Sequence, residues 1–282
     1  MSEHARAPDF WGVNQPSLSV GAKKVNSFKM LAVAIAAASI IGCGGSDSSQ
    51  QPPPPSTKVT QGFELDVSGW ATTQGITRVA SNAGTPAIPA SSGGYYAVTQ
   101  NLHDDYQPGY GDGGHSWFGG KGAEYKGDFY QAIDVYIDAA WAAAAAPSVP
   151  GFWIDMTPDH ADPANYGAEH NFQLTATGTQ VNVTTDVSAT PIASITTSGW
   201  YTFIMTFKKG ATATTPVASD LVVRNAQKQV LGQATAAATS PGGPFKSSDL
   251  LGNGYVWITV WQNGFANDAL AIDNVVTGLL PY

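Results

Sequence analysis

From residue 129 onward the chain alternates. FYQAIDVYID (129–138), GFWIDM (151–156), HNFQLTATG (170–178), TQVNVTTDV (179–187), GWYTFIMTFKK (199–209), SDLVVRNAQ (219–227), GYVWITVWQ (254–262) and DALAIDNVVTG (268–278) each set apolar residues at nearly every second position. That is the period of a β-strand with one buried face. Gly, Pro, Asn and Asp punctuate the gaps, and helix signals are nearly missing. WAAAAAP (141–147) has helical propensity but is short and ends at Pro147. Many short strands between turn formers fold as a sandwich or a barrel. A body of about 220 residues suits two antiparallel sheets of roughly five to seven strands each. The expected fold is all-β, a two-sheet antiparallel β-sandwich.

The alternating body does not begin at residue 1. Residues 30–41 (MLAVAIAAASII) form an apolar run preceded by Lys23, Lys24 and Lys29. Its 12 residues span ~18 Å as a helix, short of the ~30 Å needed to cross a bilayer. A basic flank, a short apolar run and small residues before a break read as an export signal. The break, IIGC (40–43), resembles the lipobox of bacterial lipoproteins, which implies cleavage before Cys43 and acylation of its thiol. Cys43 is the only cysteine, so no intramolecular disulfide competes for it. An ordinary secretory signal with an incidental thiol is the alternative. In the lipoprotein family, members kept in the inner membrane tend to carry Asp after the cysteine. Gly44 stands there, which implies the outer membrane or the cell surface. Residues 1–42 are therefore a leader and signal, with a true start expected near residue 25. Residues 43–60 are a lipidated Cys and a Gly/Ser/Pro-rich spacer, stiffened by Pro52 to Pro55. The sandwich is 61–282.

Charge narrows the partners. Two of the 21 acidic residues and four of the 13 basic ones precede Cys43, leaving 19 against 9. A body this acidic is not expected to bind nucleic acid or another polyanion through its bulk field, and it would repel a polyuronate substrate. Membrane contact is expected through the lipid anchor only.

The body opens with GFELDVSGW (62–70) and closes with LAIDNVVTG (270–278). This pairing resembles secreted carbohydrate-binding modules of β-sandwich type, whose first and last strands lie side by side. The resemblance implies a structural calcium held by Glu64 and Asp273, with Asp66 a weaker third. Calcium takes ~6–8 oxygen ligands, so carbonyls and water would have to contribute; the alternative is a pair of solvated edge charges. The longer series GFE…GW…TRVAS…GGYYAV…DVYID…SGWYTF…LAIDN resembles a domain of secreted and surface bacterial proteins with a jelly-roll, concanavalin A-like architecture and no established activity.

The strand faces carry the functional expectation. Val256, Ile258 and Val260 point one way, and Tyr255, Trp257, Thr259, Trp261 and Asn263 the other. On the same parity Trp153 and Asp155 oppose Ile154 and Met156, and Asn171 opposes Phe172. Tyr136 and Asp134 oppose Ile133 and Val135. If these strands share a sheet, aromatics, carboxylates and amides share its outer face. A pyranose has an apolar C–H face and a hydroxyl rim. Trp257, Trp261, Trp153 and Tyr136 would stack on the first, and Asp155, Asp134, Asn263 and Asn171 would bond the second. Aromatic walls with a few placed polar groups mark ligand sites, so the expected partner is a polysaccharide or other glycan. The alternative is that a loop such as 103–120 covers the indoles.

Enzyme readings stay open beside binding. In laminarinase-like hydrolases a strand carries carboxylates at i, i+2 and i+4. DVYID supplies Asp134, Tyr136 and Asp138, about 13 Å apart end to end, against the ~5–5.5 Å that retaining chemistry needs. A jelly-roll polysaccharide lyase would draw on Tyr136, His115, His170, Asn171 and Gln173, but the distinctive lyase motifs are absent. A structural or adhesive surface lipoprotein is the third reading.

Overall fold

The computed structural model describes residues 58–70, 75–100, 115–117, 127–140, 150–160, 170–237, 239–240, 243–244, 246–248, 250–260 and 269–281. All of them fall in the second of two units, Met1–Pro52 and Pro53–Tyr282. The strands are β1 (Lys58–Gln61), β2 (Ile76–Ala80), β3 (Tyr95–Gln100), β4 (His115–Trp117), β5 (Phe129–Ile137), β6 (Pro150–His160), β7 (His170–Thr177) and β8 (Gln180–Thr185). They continue as β9 (Ser188–Ile195), β10 (Gly199–Lys208), β11 (Ala218–Asn225), β12 (Val230–Ala237), β13 (Thr239–Ser240), β14 (Gly243–Pro244), β15 (Leu250–Val260) and β16 (Ala269–Leu279).

All pairings are antiparallel. Eight strands form one sheet in the order β12-β11-β10-β5-β16-β3-β2, with β1 also paired to β16; six form the other, β4-β15-β6-β7-β8-β9. The chain is an all-β, two-sheet antiparallel sandwich. One sheet is larger than the sequence suggests, because β1, β2 and β3 all join it. β1 starts at Lys58, so pairing with β16 begins inside the stretch read as spacer.

Parity explains the core. Ile133, Val135, Phe203, Met205, Leu221 and Ile272 from the larger sheet are buried in one cluster with Ile154, Met156, Phe172, Leu174, Val183 and Val256 from the smaller. The Phe172 and Phe203 rings meet edge to face across the two layers at 5.3 Å. Burying one such side chain contributes about 1.5–3 kcal/mol. The sandwich also has a tightly closed flank, where β12 lies against β9. A Cβ on Gly232 would sit 1.7 Å from the Ile192 carbonyl oxygen, so only glycine permits that approach.

The outer face of the larger sheet is partly roofed by the segment between β2 and β3. Ile88 packs with Tyr96 and Trp200, and the Trp200 indole N–H donates to the Pro89 carbonyl at 2.6 Å. Tyr136 and Tyr96 both meet Trp200 edge-on, at 5.6 and 6.1 Å.

Candidate functional site

The outer face of the six-stranded sheet gathers polar side chains by simple alternation. On β6, Ile154 and Met156 fill the core while Trp153, Asp155 and Thr157 face away; on β7, Phe172 and Leu174 point in and Asn171, Gln173 and Thr175 point out. On β8, Val181 and Val183 are buried and Gln180, Asn182 and Thr184 are partly exposed. Register aligns these into rows. Position 257 lies opposite both Ser116 and Asp155, and Asp155 lies opposite Asn171. In the next row Thr259, Trp153, Gln173 and Thr184 follow one another across four strands. Neighbouring strands are ~4.8 Å apart and same-face residues ~6.6–7 Å along a strand.

The amides of this face are pre-oriented. Gln173 Nε2 donates to Asn171 Oδ1 at 3.0 Å, and Gln180 Nε2 to Asn182 Oδ1 at 3.1 Å. Asn182 Nδ2 donates to Thr177 Oγ1 at 3.2 Å, and Ser194 Oγ donates to Asn182 Oδ1 at 2.8 Å. Such a ladder offers fixed donors and acceptors while each amide keeps capacity for a further partner. Trp153, Asn171 and Gln173 are partly buried. Asp155 at 2% and Thr157 at 3% exposure are covered, so Asp155 is not the exposed hydroxyl acceptor expected of it.

The residues expected at one site divide between two sheets. Trp153, Asp155, Asn171 and position 257 share the six-stranded sheet, whereas Tyr136 and Asp134 lie on β5 in the eight-stranded one. Tyr136 stacks edge-on against Trp200 rather than standing free. Asp134 is 3% exposed and accepts from Ser91 Oγ and Thr202 Oγ1 at 2.6 Å each and from Asn274 Nδ2 at 2.9 Å. Those donors replace the sugar hydroxyls it was expected to bind. Trp261, Asn263 and Cys43 lie outside the described residues, as does the side chain of Trp257.

Glu64 and Asp273 hold the same stretch of backbone from two sides. Glu64 Oε1 accepts from the amides of Gly94 and Tyr95 at 2.9 and 3.2 Å. Asp273 Oδ2 accepts from the amides of Ser91 and Ser92 at 2.9 and 3.1 Å, and its Oδ1 from Asn274 at 2.7 Å. These amides engage Glu64 Oε1 and both oxygens of Asp273. Among the described residues no three His, Cys, Asp or Glu side chains converge. Asp66 accepts from the Ser68 amide at 2.9 Å instead. Burial, opposed by the amide bonds and reinforced by the Asp134 charge, pushes the Asp273 carboxyl up to about 6.

Residues of the enzyme readings are likewise scattered. Asp138 accepts from Ser198 Oγ at 3.0 Å and from the Ala140 amide at 2.9 Å, at the end of β5. His170 is 1% exposed, turned into the core, with Nδ1 2.7 Å from Asp186 Oδ2. Gln173 therefore lies with Asn171 on the outer face while His170 does not.

Among protein families and curated proteins, none matches this sequence. Solved structures do resemble the fold. A marine alginate lyase from Aplysia kurodai is 10% identical, with TM-score 0.43, over 75% of this chain and 89% of that one. An endo-β-1,4-glucuronan lyase from Trichoderma reesei is 9% identical, with TM-score 0.41, over 79% and 94%. Lectin I-B4 from Griffonia simplicifolia is 9% identical, with TM-score 0.30, over 79% and 92%. Likeness at this level transfers no residue and no activity.

Sequence reasoning passed over Asn182 and Thr184, which extend the polar rows onto β8. Their signal is plain once β8 is placed: QVNVTT alternates polar and apolar beside a strand that does the same.

Proposed function

We propose that the protein is an envelope lipoprotein, anchored through Cys43, whose sandwich binds glycan without turning it over on the outer face of the six-stranded sheet. The observation that carries this is the pair of rows on β6, β7 and β8, where Trp153 stands between the Asn171–Gln173 amides and position 257. An indole among fixed amides matches a ring with one apolar face and a polar rim. Trp261 and Asn263, outside the described residues, stay in the proposal on the sequence parity that groups them with position 257.

The test is retention on a panel of immobilised neutral polysaccharides. Trp153→Ala is expected to weaken retention roughly five- to thirtyfold, the loss of one stacking contact of ~1–2 kcal/mol, with the melting temperature within a few degrees of the parent. Retention unchanged in a folded variant would remove the proposal.

A further inference from the structure

The outer face of the eight-stranded sheet carries a different kind of surface. Outward members of β10 and β11 pair in register: Thr202 with Arg224, Ile204 with Val222, and Thr206 with Asp220. All of these but Thr202, with Lys208, Leu280 and Pro281, line an open groove of about 550 Å³, within the ~300–1,000 Å³ range of small-ligand sites. Its floor is apolar. Ile204 is buried with Tyr130, Ala132 and Val276, and Val222 and Leu280 pack against them.

The rim is cationic in a chain that has few cations. Nine Lys and Arg follow Cys43; two of them line this groove, and a third, Lys228, bonds Thr202 beside it. Lys208 is salt-bridged to Asp220 at one end of the groove. Arg224 lines the other end, where Lys228 Nζ reaches Thr202 Oγ1 at 3.4 Å. Asp220 also accepts from Thr235 Oγ1 at 2.7 Å, which fixes the carboxylate that holds Lys208. The six-stranded sheet, by contrast, has no Lys or Arg in any of its strands. Arg224 and Asp220 are four residues apart on one strand, ~13 Å. A single small anion cannot bridge that distance, whereas a short linear oligomer can.

We infer that this groove is a second ligand site, for an oligosaccharide carrying acidic groups, either carboxylate or sulfate. The acidic groups meet Arg224, Lys228 and Lys208 at the two ends, hydroxyls meet Asp220 and Thr206, and the C–H faces lie on Ile204, Val222 and Leu280. Cations placed around an apolar floor select charged from neutral sugars.

The test is calorimetric titration of the full-length protein with oligogalacturonate, with dextran sulfate of similar length, and with neutral dextran. At least one charged probe is expected to bind, with affinity falling as salt is raised; which one binds identifies the acidic group. The Lys208→Gln/Lys228→Gln variant is expected to bind that probe about tenfold more weakly. Both lysines are solvent-exposed, and Lys228→Gln alone, which leaves the Lys208–Asp220 pair intact, serves if the double variant is unstable. Trp153→Ala, on the opposite sheet, is expected to leave charged-probe binding unchanged, which separates this site from the proposed neutral-glycan face. No binding of either charged probe, or equal affinity in a folded variant, overturns the inference.

Discussion

Asp273 illustrates how far an outward-pointing carboxylate can be from a solvated one. It is fully buried beside Asp134, its register partner, and both are bonded to the segment that roofs the sheet. Strand parity alone places both acids on an outer face; it says nothing of a covering loop, whose sequence, IPASSGG, has no period to read. The consequence is a pH dependence. The folded-state carboxyl titrates near 6 against an ordinary 3.8, so between those values the folded protein binds the extra proton. Its contribution is fully present below about 4 and lost as pH rises through about 6, by at most ~3 kcal/mol. Asp220 runs the other way: burial raises it, but the Lys208 ammonium and the Thr235 and Thr206 hydroxyls together hold it below the usual range, so its contribution is lost as pH falls through that range. Denaturant melts from pH 4 to pH 7 are expected to show declining stability, and Asp273→Asn to be less stable overall but flatter across that window. A parent protein that gains stability between pH 4 and 6 would contradict this account of Asp273.

At the scale of elements, the strands and their buried faces were legible because alternation is local. Each expected run coincides with a strand, and Phe203, Ile154 and Phe172 point inward as parity requires. The division into sheets was not legible, because pairing is non-local. β5 pairs with β10 and β16, while β6 pairs with β7 and β15, and nothing within either run announces its neighbours. That is why Tyr136 and Trp153, alike in sequence setting, end on opposite sheets. β12 escaped notice for a different reason. VLGQATAA is rich in small residues because it must fit against β9, with Gly232 at the closest approach. Gly232→Ala forces a methyl against the Ile192 carbonyl, which backbone cannot yield cheaply. A loss of at least about 2 kcal/mol is expected in thermal or denaturant melts; a neutral substitution would show that the β9–β12 flank is looser than described.

In the molecule as a whole, the two outer faces of the sandwich differ in their chemistry. The six-stranded sheet offers amides, hydroxyls and indole without cations, and the eight-stranded sheet offers a groove with cations at both ends. The proposed lipid anchor at Cys43 would present both faces at the cell envelope; incorporation of labelled palmitate, lost in Cys43→Ser, tests it. The central claim concerns the first face, and side-chain amide resonances report on it directly. In a titration of isotopically labelled protein with a neutral glycan that it retains, the NH₂ signals of Asn171, Gln173 and Asn182 are expected to shift saturably and together, while that of Gln131, buried on the inner face of β5, stays still. Saturable binding that leaves those three amides unmoved would place the sugar elsewhere and contradict the account.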